Sequence, residues 1–286
     1  MSDEAKHGLY LQNGPGYLGE LATPDNLIEY AVAAEEAGWD GVFLADGLTP
    51  VFKTVDPWIT IAAISTQTSE IRMGTWVSPM PRRPPWQVAQ DLAAIDHLSD
   101  GRVILGAGLG NEENYTTYGR AWEPSEIGDQ YDEALEIIDA LWSGGPVTYD
   151  GDYYQIEGAE LHLTPVQEPR IPIMLGCWWP NKRPFQRAAH WDGIMPVAPS
   201  FYGKEGIQGE PITGSPEEEL RDLIAYYHDV ADDPGEILVQ IDPPEAPDDF
   251  AEVCEDAGAT WLFSASLLDE ESHDENLERI HAGPPH

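Results

Sequence analysis

With 286 residues, 42% of them hydrophobic, the chain is long enough for one large or two small domains and a sizeable core. It carries 52 Asp and Glu against 14 Lys and Arg, and the formal charge of −38 is spread along its whole length; such a field excludes nucleic acid and anionic membranes as favourable partners and suits a protein kept soluble in high salt. Two cysteines are too few for a disulfide framework, no run approaches about 18 apolar residues, and the opening MSDEAKHGLY has no apolar core, so a soluble cytoplasmic protein is expected.

Short apolar runs recur in chain order with helix-period segments between them. GLYLQ (8–12) is followed by a helix opened by Thr23 and Pro24 and closed by Gly38, with Leu27, Ala31 and Ala34 at helical spacing. GVFLAD (41–46) leads to a helix opened by Asp56 and Pro57, IRMGTWV (71–77) to a helix from Trp86, and RVILGAG (102–108) closes the first half. Residues 110–170 read as an excursion: a helix carrying Tyr131, Leu135, Ile138 and Trp142, then a β-hairpin turning at Asp150-Gly151. IPIML (171–175), DGIMP (192–196), EILVQI (236–241) and ATWLFS (259–264) complete eight strands. Helices follow from Asn181, from Ser215 with Glu218 as a capping box, from about Asp248, and from Asp269. Repeated β/α units of this kind predict an α/β TIM (β/α)8 barrel in a single domain, 1–286; a doubly wound sheet is the alternative.

In a barrel, chemistry belongs at the C-terminal strand ends. Strand one ends at Gln12-Asn13-Gly14, strand two at Ala45-Asp46-Gly47, and strand three at Val77-Ser78-Pro79. Strand four ends in GAGLGNEEN (106–114). Its glycines suggest either a dinucleotide loop with Asp129 as ribose partner or a close backbone approach at a barrel mouth; the second is preferred because Gly110 opens no helix directly. Strand five ends in LGCWWPNKRPFQR (175–187), where Lys182 and Arg183 at a helix start capped by Asn181 suggest an anion site. Surface pairing of these cations is the plain alternative. No metal-binding spacing and no nucleophile elbow occurs, Cys177 has no nearby His in sequence, and Cys254 falls on an apolar stripe.

Three stretches, AEEAGWDGVFLAD (34–46), the block from Asp56 to Gly110, and PIMLGCWWPNKRPFQRAAHWDGIMP (172–196), resemble the luciferase-like family of flavin and deazaflavin oxidoreductases. The resemblance runs from about residue 8 to 196. It implies a TIM barrel, commonly dimeric, holding coenzyme F420 or FMN at the C-terminal mouth, with a non-prolyl cis peptide at Trp76-Val77 in a third-strand bulge behind the ring. It places the phosphate loop at Gly176, Cys177 and Trp178. The implied cofactor contacts are Trp76, Val77 and Ser78, then Gly108, Asn111 and Asn114, then Gly176, Cys177 and Trp178 with Lys182 and Arg183. The chain departs from the pattern where many members carry a His, here Gly47, and where the sugar-phosphate dehydrogenases carry a Glu, here Asn111. Asp46, Glu112 and Glu113 are the candidate proton donors in their place.

The expected activity is hydride transfer between F420, or FMN, and a small organic substrate, in a homodimer without nucleic-acid or membrane partners. F420 is preferred because the acidic composition is like that of halophilic archaea. The alternatives are an FMN-dependent monooxygenase of the same family and, from another class, a barrel that binds cofactor or ligand without turnover.

Overall fold

A computed structural model describes residues 5–14, 18–50, 52–202, 212–243, 246–265, 267 and 272–285. The strands are β1 (Lys6–Tyr10), β2 (Gly41–Leu44), β3 (Arg72–Thr75), β4 (Ser78–Pro79), β5 (Val103–Gly108), the hairpin β6 (Val147–Asp150) and β7 (Gln155–Ala159), β8 (Ile173–Trp178), β9 (Gly193–Val197), β10 (Glu236–Gln240) and β11 (Trp261–Ser264). The helices are α1 (Pro24–Glu36), α2 (Pro57–Ser65), α3 (Pro85–Ser99), α4 (Glu113–Thr116), α5 (Pro124–Trp142), α6 (Lys182–Ala188), α7 (Pro216–Val230), α8 (Phe250–Ala257) and α9 (His273–His281).

Among the described residues β1, β2, β3, β5, β8, β9, β10 and β11 pair in parallel in that order, and β11 pairs back onto β1, so the sheet closes as the (β/α)8 barrel expected. The doubly wound alternative is thereby excluded. The excursion between strands four and five holds α4, α5 and the hairpin, which turns after Asp150.

Local chemistry explains the helix starts. The Thr23 and Asp56 side chains accept from main-chain amides of the first turn, with Pro at the first helical position in both helices. Ser215 and Glu218 form the expected capping box. The last helix begins at His273 under a second capping box, Ser272 with Glu275, while Asp269, its expected start, lies outside the described residues.

The core has two parts. The larger lies between strands and helices and includes the α5 residues Tyr131, Leu135 and Ile138, as well as Cys177 and Cys254. The smaller fills the barrel with Tyr10, Phe43, Ile104, Met174, Met195, Leu238, Trp261 and Phe263. Phe43 meets Phe263 and Trp261 edge-on at 5.5 and 5.8 Å. Gly41 leaves room for that packing, since a Cβ there would come within 2.9 Å of the Trp261 ring.

Candidate active site

The third strand breaks at the mouth. Gly74 faces Ile104 and Ser78 faces Ala107, so four steps along β3 and β4 span three along β5: a one-residue bulge at Trp76 and Val77. The Trp76-Val77 bond is cis, as the resemblance implied. Gly106 permits the close strand contact below the bulge, because a Cβ there would fall 1.7 Å from the Thr75 carbonyl oxygen, and the Thr75 hydroxyl donates to the Gly106 carbonyl at 2.7 Å. Val77 lies against two more glycines: a Cβ on Gly108 would come within 2.4 Å of its Cγ2, and one on Gly176 within 3.1 Å. Trp76 and Val77 remain half-buried, while the hydroxyl of fully buried Ser78 has no hydrogen-bond partner. The ends of strands three, four and five therefore form a smooth, backbone-lined wall with an unused donor in it.

Beyond strand four, Asn111 and Asn114 satisfy one another: the Asn114 carboxamide oxygen accepts from the Asn111 amide at 2.8 Å, and the Asn111 oxygen from the Asn114 amide at 3.3 Å. Glu112 is exposed on the rim. Glu113 is half-buried, with a carboxylate oxygen enclosed and without a partner.

Several expected roles change with the side-chain partners. Asp46 does not stand free as a proton donor: it is 5% exposed and ion-paired with Arg82 and with Arg83, the latter at 3.1 Å, and Arg83 also reaches Asp56 at 3.2 Å. Lys182 and Arg183 do not present a free anion site either. Arg183 pairs with Asp129, the residue that a dinucleotide reading would have given to a ribose, and Lys182 sits 3.4 Å from the Trp179 ring centroid and 3.8 Å from that of Tyr226. Arg187, 8% exposed, bonds Asp132 and donates to the Gly128 carbonyl at 3.1 Å. The cationic stretch thus clamps α6 to α5, which is why so acidic a chain concentrates cations there. Cys177 is buried beside Arg187 and Tyr131, and burial pushes its thiol pKa well up, so only its main chain can serve a ligand. Trp178 is half-buried and stacks on Tyr202 at 5.9 Å.

The other side of the mouth differs. A cavity of about 420 Å³ is bounded by Tyr10, Gln12, Phe52, Trp76, Phe263 and Asp242, among others. Trp76 stacks on Phe263 at 3.8 Å with the rings 5° apart. Phe52 fills the space beside Gly47, where a Cβ would lie 2.2 Å from its ring, so the position that carries a His in many relatives by resemblance has no room for one here. Gln12 adopts a φ of +30°, which few side chains tolerate, and its amide donates to the Ala265 carbonyl at 2.8 Å. Sequence reasoning missed Arg82, Arg83, Phe52 and Asp242. Asp242 was within reach, since it directly follows strand seven, where a barrel places chemistry. A larger hollow of about 1020 Å³ lies at the opposite end, lined by Lys6, Asp192 and Glu236 at or before strand starts, away from the mouth.

The fold and this mouth define a (β/α)8 barrel whose third strand is bulged toward a glycine-lined wall. The chain belongs to the Luciferase-like monooxygenase family, which it matches over residues 6–206. It is 36% identical over 165 residues to an F420-dependent glucose-6-phosphate dehydrogenase of Microbacterium testaceum, covering 55% of this chain and 48% of that protein. The chain spans about half the length of the curated relatives it matches, and these are actinobacterial. In fold it is similar to an F420-dependent secondary alcohol dehydrogenase solved with an F420-acetone adduct, at a TM-score of 0.73 and 16% identity over 98% of both chains. It is also similar to the oxygenating constituent of 3,6-diketocamphane monooxygenase of Pseudomonas putida solved with FMN, at 0.74 and 16% over 97% and 95%.

Proposed function

We propose that the protein is an oxidoreductase that holds F420, or FMN, against the Trp76-Val77 bulge and moves a hydride to or from a small organic substrate in the open half of the mouth. The observation that supports this most is the wall itself. Val77 is seated between Gly108 and Gly176, so a flat ring can approach the backbone closely, and the partnerless Ser78 hydroxyl is a donor aimed at no protein atom. When bound, the deazaflavin or flavin supplies or accepts the hydride. Val77 and Trp76 would back the ring. Ser78, the main chain of Gly108, Gly176, Cys177 and Trp178, and the side-chain NH2 groups of Asn111 and Asn114 would hold its polar edge and tail. Arg183 and Lys182 contribute by fixing α6, not by direct contact. The relatives' printed cofactor favours F420 over FMN.

With Asp46 paired and position 47 closed by Phe52, Glu113 is the one of the three candidates with an enclosed, unpartnered carboxylate oxygen, while Glu112 stands exposed on the rim. Salt adaptation rests on the −38 charge and not on descent. A homodimer is proposed on α2, which is apolar on every side and leaves Ile59 75% exposed. No helix among the described residues is long and apolar enough to cross a membrane.

Purified protein at molar KCl, supplied with oxidised or reduced F420 and with FMN, should change cofactor absorbance when one of a panel of alcohols, aldehydes, amines and imines is added. Tight cofactor binding without turnover across that panel would favour the non-catalytic barrel. Oxygen consumption with reduced FMN alone would favour the monooxygenase.

A further inference from the structure

We propose that the open half of the mouth is a binding site for an organic cation, an amine or ammonium group on an apolar body, anchored by Asp242. The walls come first. Tyr10, Phe52, Trp76 and Phe263 present aromatic surface to the cavity, with Tyr10 and Phe263 5.6 Å apart and Trp76 stacked on Phe263. Ring faces carry negative potential and attract organic cations.

The charge comes second. Among the described residues that line this cavity, Asp242 is the one charged group, and no Lys or Arg is present. Its carboxylate accepts from the Ala265 amide at 2.7 Å, from the Ser264 hydroxyl at 3.2 Å and from the Gln240 side chain at 3.2 Å. A carboxylate has about four lone-pair sites, so acceptor capacity remains toward the cavity. Burial pushes its pKa up, against the pull of those three donors, as for a carboxylate that lacks a cationic neighbour.

The same chemistry disfavours a phosphorylated sugar, the substrate in the printed name of the Microbacterium relative, because its dianion would face Asp242 with no cation to meet it among the described residues that line the cavity. The inference rests on the proposed function for calling the ligand a substrate. The binding itself is measured without cofactor.

The full-length protein is titrated by calorimetry in molar KCl with three probes of similar shape: benzyltrimethylammonium, neopentylbenzene as its neutral isostere, and benzyl phosphate. The expected result is that the cation binds at least about tenfold more tightly than the neutral probe and that the phosphate gives no heat of binding. Asp242→Asn should reduce cation affinity about tenfold and leave the neutral probe unchanged. Equal binding of cation and neutral probe by the unaltered protein, or full retention of the preference in Asp242→Asn, overturns the proposal. The first comparison decides the matter even if the variant does not fold. Cofactor binding is read separately from its own absorbance: a cation site with no cofactor binding sinks the oxidoreductase reading alone, and cofactor binding without cation preference sinks this inference alone.

Discussion

The two halves of the barrel mouth are built on opposite principles. On the side of β3, β5 and β8 the side chains are withdrawn: Gly106, Gly108 and Gly176 leave backbone and the isopropyl group of Val77 at the surface, and nearby Asp46, Arg82 and Arg83 are already paired. On the side of β10, β11 and β1 the side chains project: aromatic rings and one carboxylate enclose a cavity of about 420 Å³. A backbone-lined wall tolerates almost no added atoms, whereas a side-chain-lined cavity tolerates substitution and sets selectivity. One half is therefore suited to a constant cofactor and the other to a particular substrate.

Substitutions should separate the halves sharply. The largest effect is expected for Gly106→Ala, whose Cβ would lie 1.7 Å from the Thr75 carbonyl; a loss of about 3 kcal/mol or more in denaturant unfolding at molar KCl is predicted. Asp46→Asn comes next, with about 3 kcal/mol lost in the same assay, because Arg82 and Arg83 then lose their shared counter-ion in a nearly closed site. Asp242→Asn, in the open half, leaves no cation unpaired and keeps an acceptor oxygen for its neighbours, so it should change stability by less than about 0.5 kcal/mol. A loss there as large as that for Asp46 would erase the distinction between the halves.

Glu35, far from the mouth, is a control for both. Burial works against its charge, but the amides of Ile71, Glu70 and Ser69 outweigh that and hold its pKa below the ordinary 4.5. A lowered folded-state pKa means the contribution is fully present above pH 4.5 and is lost as pH falls through the folded value. Glu35→Gln should cost about 1 kcal/mol at pH 7 and progressively less below pH 4.5, read from unfolding midpoints against pH. A modest effect is expected for Lys182→Ala, about 0.5–1 kcal/mol of stability from its contacts with Trp179 and Tyr226, with cofactor affinity unchanged.

The barrel was legible in the sequence because strand and helix alternate at a regular period and the helix starts carry Thr23-Pro24, Asp56-Pro57 and Ser215 with Glu218. The bulge at Trp76-Val77 was legible only through family resemblance, since nothing in GTWVSP marks a register shift. Pairing of the cations with carboxylates was legible only as the alternative to an anion site, and their partners were not legible. Arg183 and Arg187 lie next to a helix start in the chain, yet their partners Asp129 and Asp132 come from a helix more than fifty residues earlier. Asp46 was misread for the same reason, its arginines lying 36 and 37 residues away. Phe52 beside Gly47 shows the limit from the other direction: the missing His is visible in the sequence, and what took its space is not.

The most direct test of the central claim is an absorbance or fluorescence titration at molar KCl of F420 and of FMN into the unaltered protein and into Gly176→Val. The account predicts a dissociation constant below about 100 micromolar, roughly −5.5 kcal/mol, for at least one cofactor, and at least about tenfold weaker binding in the variant, because the new side chain would crowd Val77 and cover the wall. Failure of both cofactors to bind, or binding by Gly176→Val as tight as by the unaltered protein, would contradict it.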